Sequence, residues 1–131
     1  MAVVADLMSD TLHKASVSTT VAEAATIMAR GKVGSTLVMD GERLVGIFTE
    51  RDIVRALSRS PDAPADPVGH WMTARPQRVS GSDPVEDALQ RMVAGGFRHL
   101  PVVDEHDRVV GMLSMRDLAR AGVQGASAKV S

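Results

Sequence analysis

The sequence predicts a mixed α/β fold of two β-α-β-β-α units, and three observations carry that prediction. First, the chain repeats itself: residues 21–40, VAEAATIMARGKVGSTLVMD, superpose on residues 85–104, VEDALQRMVAGGFRHLPVVD, at an offset of 64. Second, within each copy the apolar spacing runs in one order: helical, strand-like, strand-like, helical. Third, 131 residues of which 44% are hydrophobic suit one compact domain or two very small ones. A unit of about 60 residues rarely buries enough surface alone. The halves are therefore expected to share one core.

Each element has a local cause. Val21, Ala24, Ala25 and Met28 fall at i, i+3, i+4 and i+7, one face of a helix over Val21–Arg30. Thr20 with Glu23 fits a capping box, and Gly31 is a natural stop. The second copy repeats this over Val85–Ala94, opened by Asp83-Pro84 and closed by Gly95-Gly96. Strands are expected at Ser35–Met39 and Leu44–Phe48, joined by the turn Asp40-Gly41. Their counterparts are His99–Val103 and Val109–Leu113, after one inserted residue moves the offset to 65. Second helices follow at Glu50–Ser58 and Met115–Ala121, and short extended pieces are expected at Val17 and Val79. The lead-in Asp6-Leu7-Met8-Ser9 echoes His70-Trp71-Met72-Thr73. The boundaries read as a first repeat over 3–59, a Pro-rich linker over 60–67, a second repeat over 68–121 and a flexible tail over 122–131.

Composition removes several functions. Fifteen Lys+Arg against sixteen Asp+Glu, with two Phe, one Trp and no Tyr, supply neither a basic field nor stacking platforms for nucleic acid. Zero cysteines exclude disulfides, thiolate catalysis and zinc ribbons. His13, His70, His99 and His106 lie in separate segments without metal-ligand spacing, so no metal is expected. Phosphate-binding glycine motifs and a nucleophile elbow are absent. The start carries Asp6 and no basic region, unlike a signal peptide, and no apolar run nears the roughly 20 residues of a membrane span. The seven methionines from Met8 to Met115 read as core filler. Trp71 reads as a cover over the core beside the linker or a dimer contact, and Arg55, Arg59 and Arg120 as solvated helix faces.

The candidate chemistry lies where a strand meets the second helix of each copy. Thr49 and Asp52, and likewise Ser114 and Asp117, bring a hydroxyl, backbone N–H groups and a carboxylate to one helix mouth. That set suits phosphate and ribose hydroxyls. The same residues also suit ordinary N-capping, with the carboxylates complementing the helix dipole.

The paired Gly-h-h-[Thr/Ser]-x-x-Asp segments at 46–52 and 111–117, the run Arg-His-Leu-Pro-Val-Val-Asp at 98–104 and the spacing of about 64 resemble a tandem pair of CBS domains. CBS domains are the modules named after cystathionine β-synthase, and the resemblance covers about residues 3–121. It implies two units related by a pseudo-twofold, clefts at their junction, dimerisation and adenosine-containing ligands. Carried over residue by residue, it joins Asp117 with Thr19, Ala24, Val33 and Gly34, and Asp52 with Asp83, Ala88, Phe97 and Arg98. Ala24 and Ala88 would leave room for a purine, while Arg51, Arg98, His99 and Arg116 would meet phosphates. On this pairing the Asp52 cleft is the more cationic and should prefer a phosphorylated ligand.

The expected function is regulatory binding of an adenine nucleotide of the AMP, ADP, ATP, NAD or S-adenosylmethionine class. The protein is expected to be a non-enzymatic cytoplasmic homodimer, without a required cofactor, that signals to a protein target by a change of shape. Two other readings compete: a structural dimerisation module with empty clefts, and a nucleic-acid-binding protein, which the net charge of −1 disfavours.

Overall fold

The computed structural model describes residues 2–124. In chain order the elements are α1 (Val4–Leu7), β1 (Lys14–Ser16), α2 (Val21–Gly31), β2 (Ser35–Asp40), β3 (Arg43–Thr49), α3 (Glu50–Arg59), α4 (Val68–Trp71) and β4 (Thr73–Ala74). Then follow β5 (Val79–Ser80), α5 (Val85–Gly95), β6 (His99–Val103), β7 (Val109–Ser114) and α6 (Met115–Arg120). The described chain divides into two compact units: residues 13–76 form one, and residues 2–12 together with 77–124 form the other. Sequence repeat and compact unit therefore do not coincide. Of the tail expected at 122–131, residues 125–131 lie outside the described residues.

In the first unit β1 runs parallel to β2, and β2, β3 and β4 continue the sheet antiparallel. The second unit repeats the pattern with β5, β6 and β7. Its fourth position is taken by Ser9, which exchanges both backbone hydrogen bonds with Met112 at 2.9 Å. Each lead-in segment thus completes the sheet of the other repeat. Both hairpins carry a register shift at the same place, Val38/Met39 and Val102/Val103. The extra residue of the second copy sits in its hairpin loop. There Asp104 accepts from the N–H groups of His106 (2.8 Å) and Arg108 (3.0 Å), and Asp107 takes φ +61°. Those donors hold the exposed Asp104 carboxyl below its ordinary range, the Arg108 N–H contributing most.

The helices start and stop where their local chemistry dictates. Thr20 accepts from Glu23 N (3.1 Å) while Glu23 accepts from Thr20 N (3.0 Å), the capping box expected from sequence. Gly31 is the last helical residue, but the left-handed cap is Lys32, at φ +55°. What Gly31 provides is space, since a Cβ there would stand 2.5 Å from His13 Cε1. The extended piece expected at Val17 is Lys14–Ser16 instead; Val17 lies exposed in the following turn. The motif glycines Gly46 and Gly111 also serve close approach. A Cβ on either would lie 2.4 Å from a sulfur, Met72 Sδ and Met8 Sδ respectively.

The buried apolar side chains form a cluster in each unit, where the sequence suggested one shared core. Val21, Ala24, Met28, Val38, Phe48 and Val68 make the first; Val4, Val79, Val85, Met92, Leu100 and Leu113 lie in the second. The lead-in helices α1 and α4 supply Val4 and Val68, which is how a unit of this size closes its core. Residues 60–67, read as a linker, include a 3-10 turn at Ala63–Ala65 with Ala63 fully buried. Trp71 packs at the edge of the first cluster and donates from Nε1 to Asp66 (2.9 Å).

One defect interrupts the first core. Thr36 is fully buried and its hydroxyl has no hydrogen-bond partner among the described residues, while the position 64 residues later is Leu100. A desolvated, unpaired hydroxyl costs about 1–3 kcal/mol. Thr36→Val keeps the shape and removes that cost. It should stabilise the protein by about 1 kcal/mol, raising the melting midpoint by about 3–5 °C. An unchanged or lower midpoint would show that the hydroxyl is satisfied in solution.

Candidate functional site

The two helix mouths are built alike. Residues Ser35 and Thr49 pair across β2 and β3, and His99 pairs with Ser114 across β6 and β7. The carbonyl of Gly34 accepts from Glu50 N (3.1 Å), and that of Arg98 accepts from Met115 N (2.8 Å). Each helix is thereby pinned to the start of the neighbouring strand. Thr49 and Ser114 are N-caps, accepting from Asp52 N (3.2 Å) and Asp117 N (3.1 Å). The aspartates answer by accepting from Thr49 N (3.0 Å) and Ser114 N (2.8 Å). Capping is a property of both motifs, and it uses N–H groups that a phosphate was expected to find free.

The carboxylates differ in what remains to them. Asp52 is 5% exposed, and both its oxygens are engaged: Oδ2 by Thr49 N and Oγ1, Oδ1 by Arg55 Nη2 (3.2 Å) and Thr73 Oγ1 (3.4 Å). Arg55 also donates to the Trp71 carbonyl, so this partly solvated side chain is held at both Asp52 and α4. Sequence reasoning missed Arg55, although an acid and a base three residues apart on a helix is a readable signal. Asp117 is half-buried; Ser114 N holds its Oδ2, and no described residue hydrogen-bonds to its Oδ1. An oriented acceptor is left over.

Arg98 and His99 belong to this second mouth. The charges of Asp117, Arg116 and Arg98 all act on His99. The strand pairing sets these cationic groups at the mouth that holds Asp117, because the residues just before β6 lie opposite the end of β7, in the same repeat. Arg51 and Arg116 are exposed on the first turns of α3 and α6.

Other expected site residues also have roles in the fold. Thr19 Oγ1 accepts from Ser16 N (3.0 Å), and Asp83 Oδ2 accepts from Ser80 N (3.0 Å), closing equivalent turns. One oxygen of the Asp83 carboxylate is thus held within its own turn. Ala24 and Ala88 are fully buried on the inner faces of α2 and α5 and offer no surface to a purine. Val33 and Phe97, both half-buried, follow the helix caps and bond through N–H to Met28 O and Met92 O (both 3.1 Å). Phe97 also packs on the second core. Among the described residues, no His/Asp/Glu group could hold a metal ion, and no helix is long and apolar enough to cross a membrane.

His99 gives this mouth a pH dependence. Burial pushes its pKa down from 6.5 to about 4; Asp117 opposes that shift, and Arg116 and Arg98 add to it. Between these values the unfolded chain binds a proton that the folded chain does not. Stability from neutral His99 is therefore complete above pH 6.5 and is lost as pH falls toward 4. The loss amounts to at most about 3 kcal/mol. Melts at pH 7 and 4.5 should separate the parent from His99→Gln, which should show a shallower decline. Equal declines would remove His99 as the cause.

The comparisons with known proteins agree with this architecture. The CBS domain family model matches twice, over residues 4–59 and 68–124. An uncharacterized 17.7 kDa protein of Acidianus ambivalens is 45% identical over 104 residues, covering 78% of this chain. The chain spans 62% of that relative and 14% of a meiotically up-regulated protein of Schizosaccharomyces pombe. Among solved structures, a CBS domain protein of Pyrobaculum aerophilum complexed with AMP is 29% identical, with a TM-score of 0.85 over 96% of this chain and 98% of its own. The CBS domain pair of protein MJ0100, in complex with methylthioadenosine and S-adenosylmethionine, is 27% identical with a TM-score of 0.85 over 93% and 96%. With two family matches spread over nearly the whole described chain and a strand-and-helix unit under each, the chain belongs to the CBS domain family.

Proposed function

We propose that this CBS pair is a regulatory binding protein for an adenosine-containing ligand, held through Asp117 and signalling to a protein partner by a change of shape. The observation that carries the reading is the Asp117 carboxylate: one oxygen fixed at 2.8 Å by Ser114 N, the other accepting nothing from the described residues. A carboxylate oriented in that way suits the two hydroxyls of a ribose. Arg98, Arg116 and neutral His99 add donors for a phosphate or another anionic substituent. Two structural neighbours hold AMP or S-adenosylmethionine and methylthioadenosine, which supports the adenosine class. Ligand binding without catalysis fits a mouth of caps, cations and one free carboxylate oxygen, with no nucleophile–base pair described within it.

The exposed Val54 (67%) and Leu57 (50%) on α3, and Val93 on α5, support a homodimer. The lack of cysteine agrees with a cytoplasmic setting. Isothermal calorimetry with AMP, ADP, ATP, NAD and S-adenosylmethionine is the test. Saturable binding of at least one is expected; binding of none would leave the dimerisation module as the better reading.

A further inference from the structure

We infer that the two repeat-related aspartates have different jobs: Asp52 is a structural clasp locked by Arg55, and the chain holds one adenosine ligand, at Asp117. The inference rests on the adenosine reading above and sharpens it. Each oxygen of Asp52 already has two donors, and the group lies almost wholly out of solvent. The clasp ties three pieces of the first unit together. Asp52 sits in the first turn of α3, Arg55 reaches back one turn to it and across to the Trp71 carbonyl at the end of α4, and Thr73 joins from β4. A ribose would have to displace Arg55 or Thr73 and leave a buried charge short of partners, which is strongly unfavourable.

The second unit has the parts in sequence but not the clasp. Arg120 and Ser9 occupy the positions equivalent to Arg55 and Thr73. Arg120 is exposed and makes no hydrogen bond to Asp117 among the described residues; the Ser9 hydroxyl instead accepts from Thr11 N (3.4 Å). Helix α3 continues past Arg55 to Arg59, whereas α6 ends at Arg120 itself.

The test titrates AMP and S-adenosylmethionine into the full chain and into Asp52→Asn and Asp117→Asn variants, with thermal melts of each and of Arg55→Gln. One equivalent per chain in the parent, an Asp52→Asn affinity within about twofold of it, and a loss of about tenfold or more in Asp117→Asn would support the inference. Asp52→Asn and Arg55→Gln should each lower the melting midpoint by about 5–10 °C, and the double variant by no more than the worse single. Two equivalents in the parent, one lost in Asp52→Asn, would overturn the clasp while leaving the adenosine reading in place. If the parent binds neither probe, the adenosine reading fails for them and the melts decide the clasp. Coupled losses sustain it, and additive losses overturn it.

Discussion

A chain lacking residues 2–9 should fail to fold its second unit, although these residues lie outside the repeat they support. Val4 is fully buried among Val79, Val85, Leu100 and Leu113, with Leu7 and Met8 packed alongside. The backbone is tied in as well: Val4 N to Asp83 O (2.9 Å), Ala5 N to Gly81 O (2.9 Å) and the paired bonds of Ser9 with Met112. Full burial of one such side chain is worth about 1.5–3 kcal/mol. One complete and two partial burials, together with the freed sheet edge, put the loss at about 4–6 kcal/mol. A small domain has about 5–15 kcal/mol in all. Val4→Asp places a charge in the same core and should cost at least about 3 kcal/mol, whereas Ala5→Ser, at an exposed site, should cost almost nothing. Hydrogen exchange provides the measurement, with protection of the amides of β6 and β7 expected to collapse. Parental protection in the truncated chain would mean that the lead-in is dispensable.

Replacing Asp117 by alanine should have the largest effect on binding. The change removes a charge-assisted acceptor worth about 1.5–3 kcal/mol, equivalent to tenfold or more in Kd. The fold should survive, because Asp117 is half-buried and Ser114 remains as the N-cap of α6. Calorimetry with whichever adenosine compound the parent binds would show this directly, with circular dichroism as the folding control. An Asp117→Ala protein that binds like the parent would move the ligand elsewhere.

Much of the fold was legible because its causes are local. The i, i+3, i+4, i+7 spacing of Val21, Ala24, Ala25 and Met28 marks α2, and Thr20 with Glu23 marks its start. The strand His99–Val103 and the turn at Asp40-Gly41 follow from β-branched runs and a glycine at φ +62°. Duplication identified the family, since weak motifs recurring in one order at one spacing are strong together. The second mouth was legible in part: Ser114, Asp117, Arg98, His99 and Arg116 were all named.

What sequence could not assign was which neighbour each side chain serves. Asp52 and Asp117 stand in the same motif, yet only Asp52 has an arginine and a threonine closing on it, and those contacts depend on where α3 and β4 run. The same holds for Ala24 and Ala88. Their small size suggested room for a ring, and the structure buries both completely in the cores under α2 and α5. Likewise, Val4 and Met8 fall in the sequence of the first repeat, yet Val4 is core of the second unit and Met8 packs against that core. Helix periodicity, caps and turns are set by residues a few positions apart, and the chain alone determined them. Core membership, sheet completion and the spare bonding capacity of a carboxylate depend on groups far apart in sequence, and only the tertiary structure decided those.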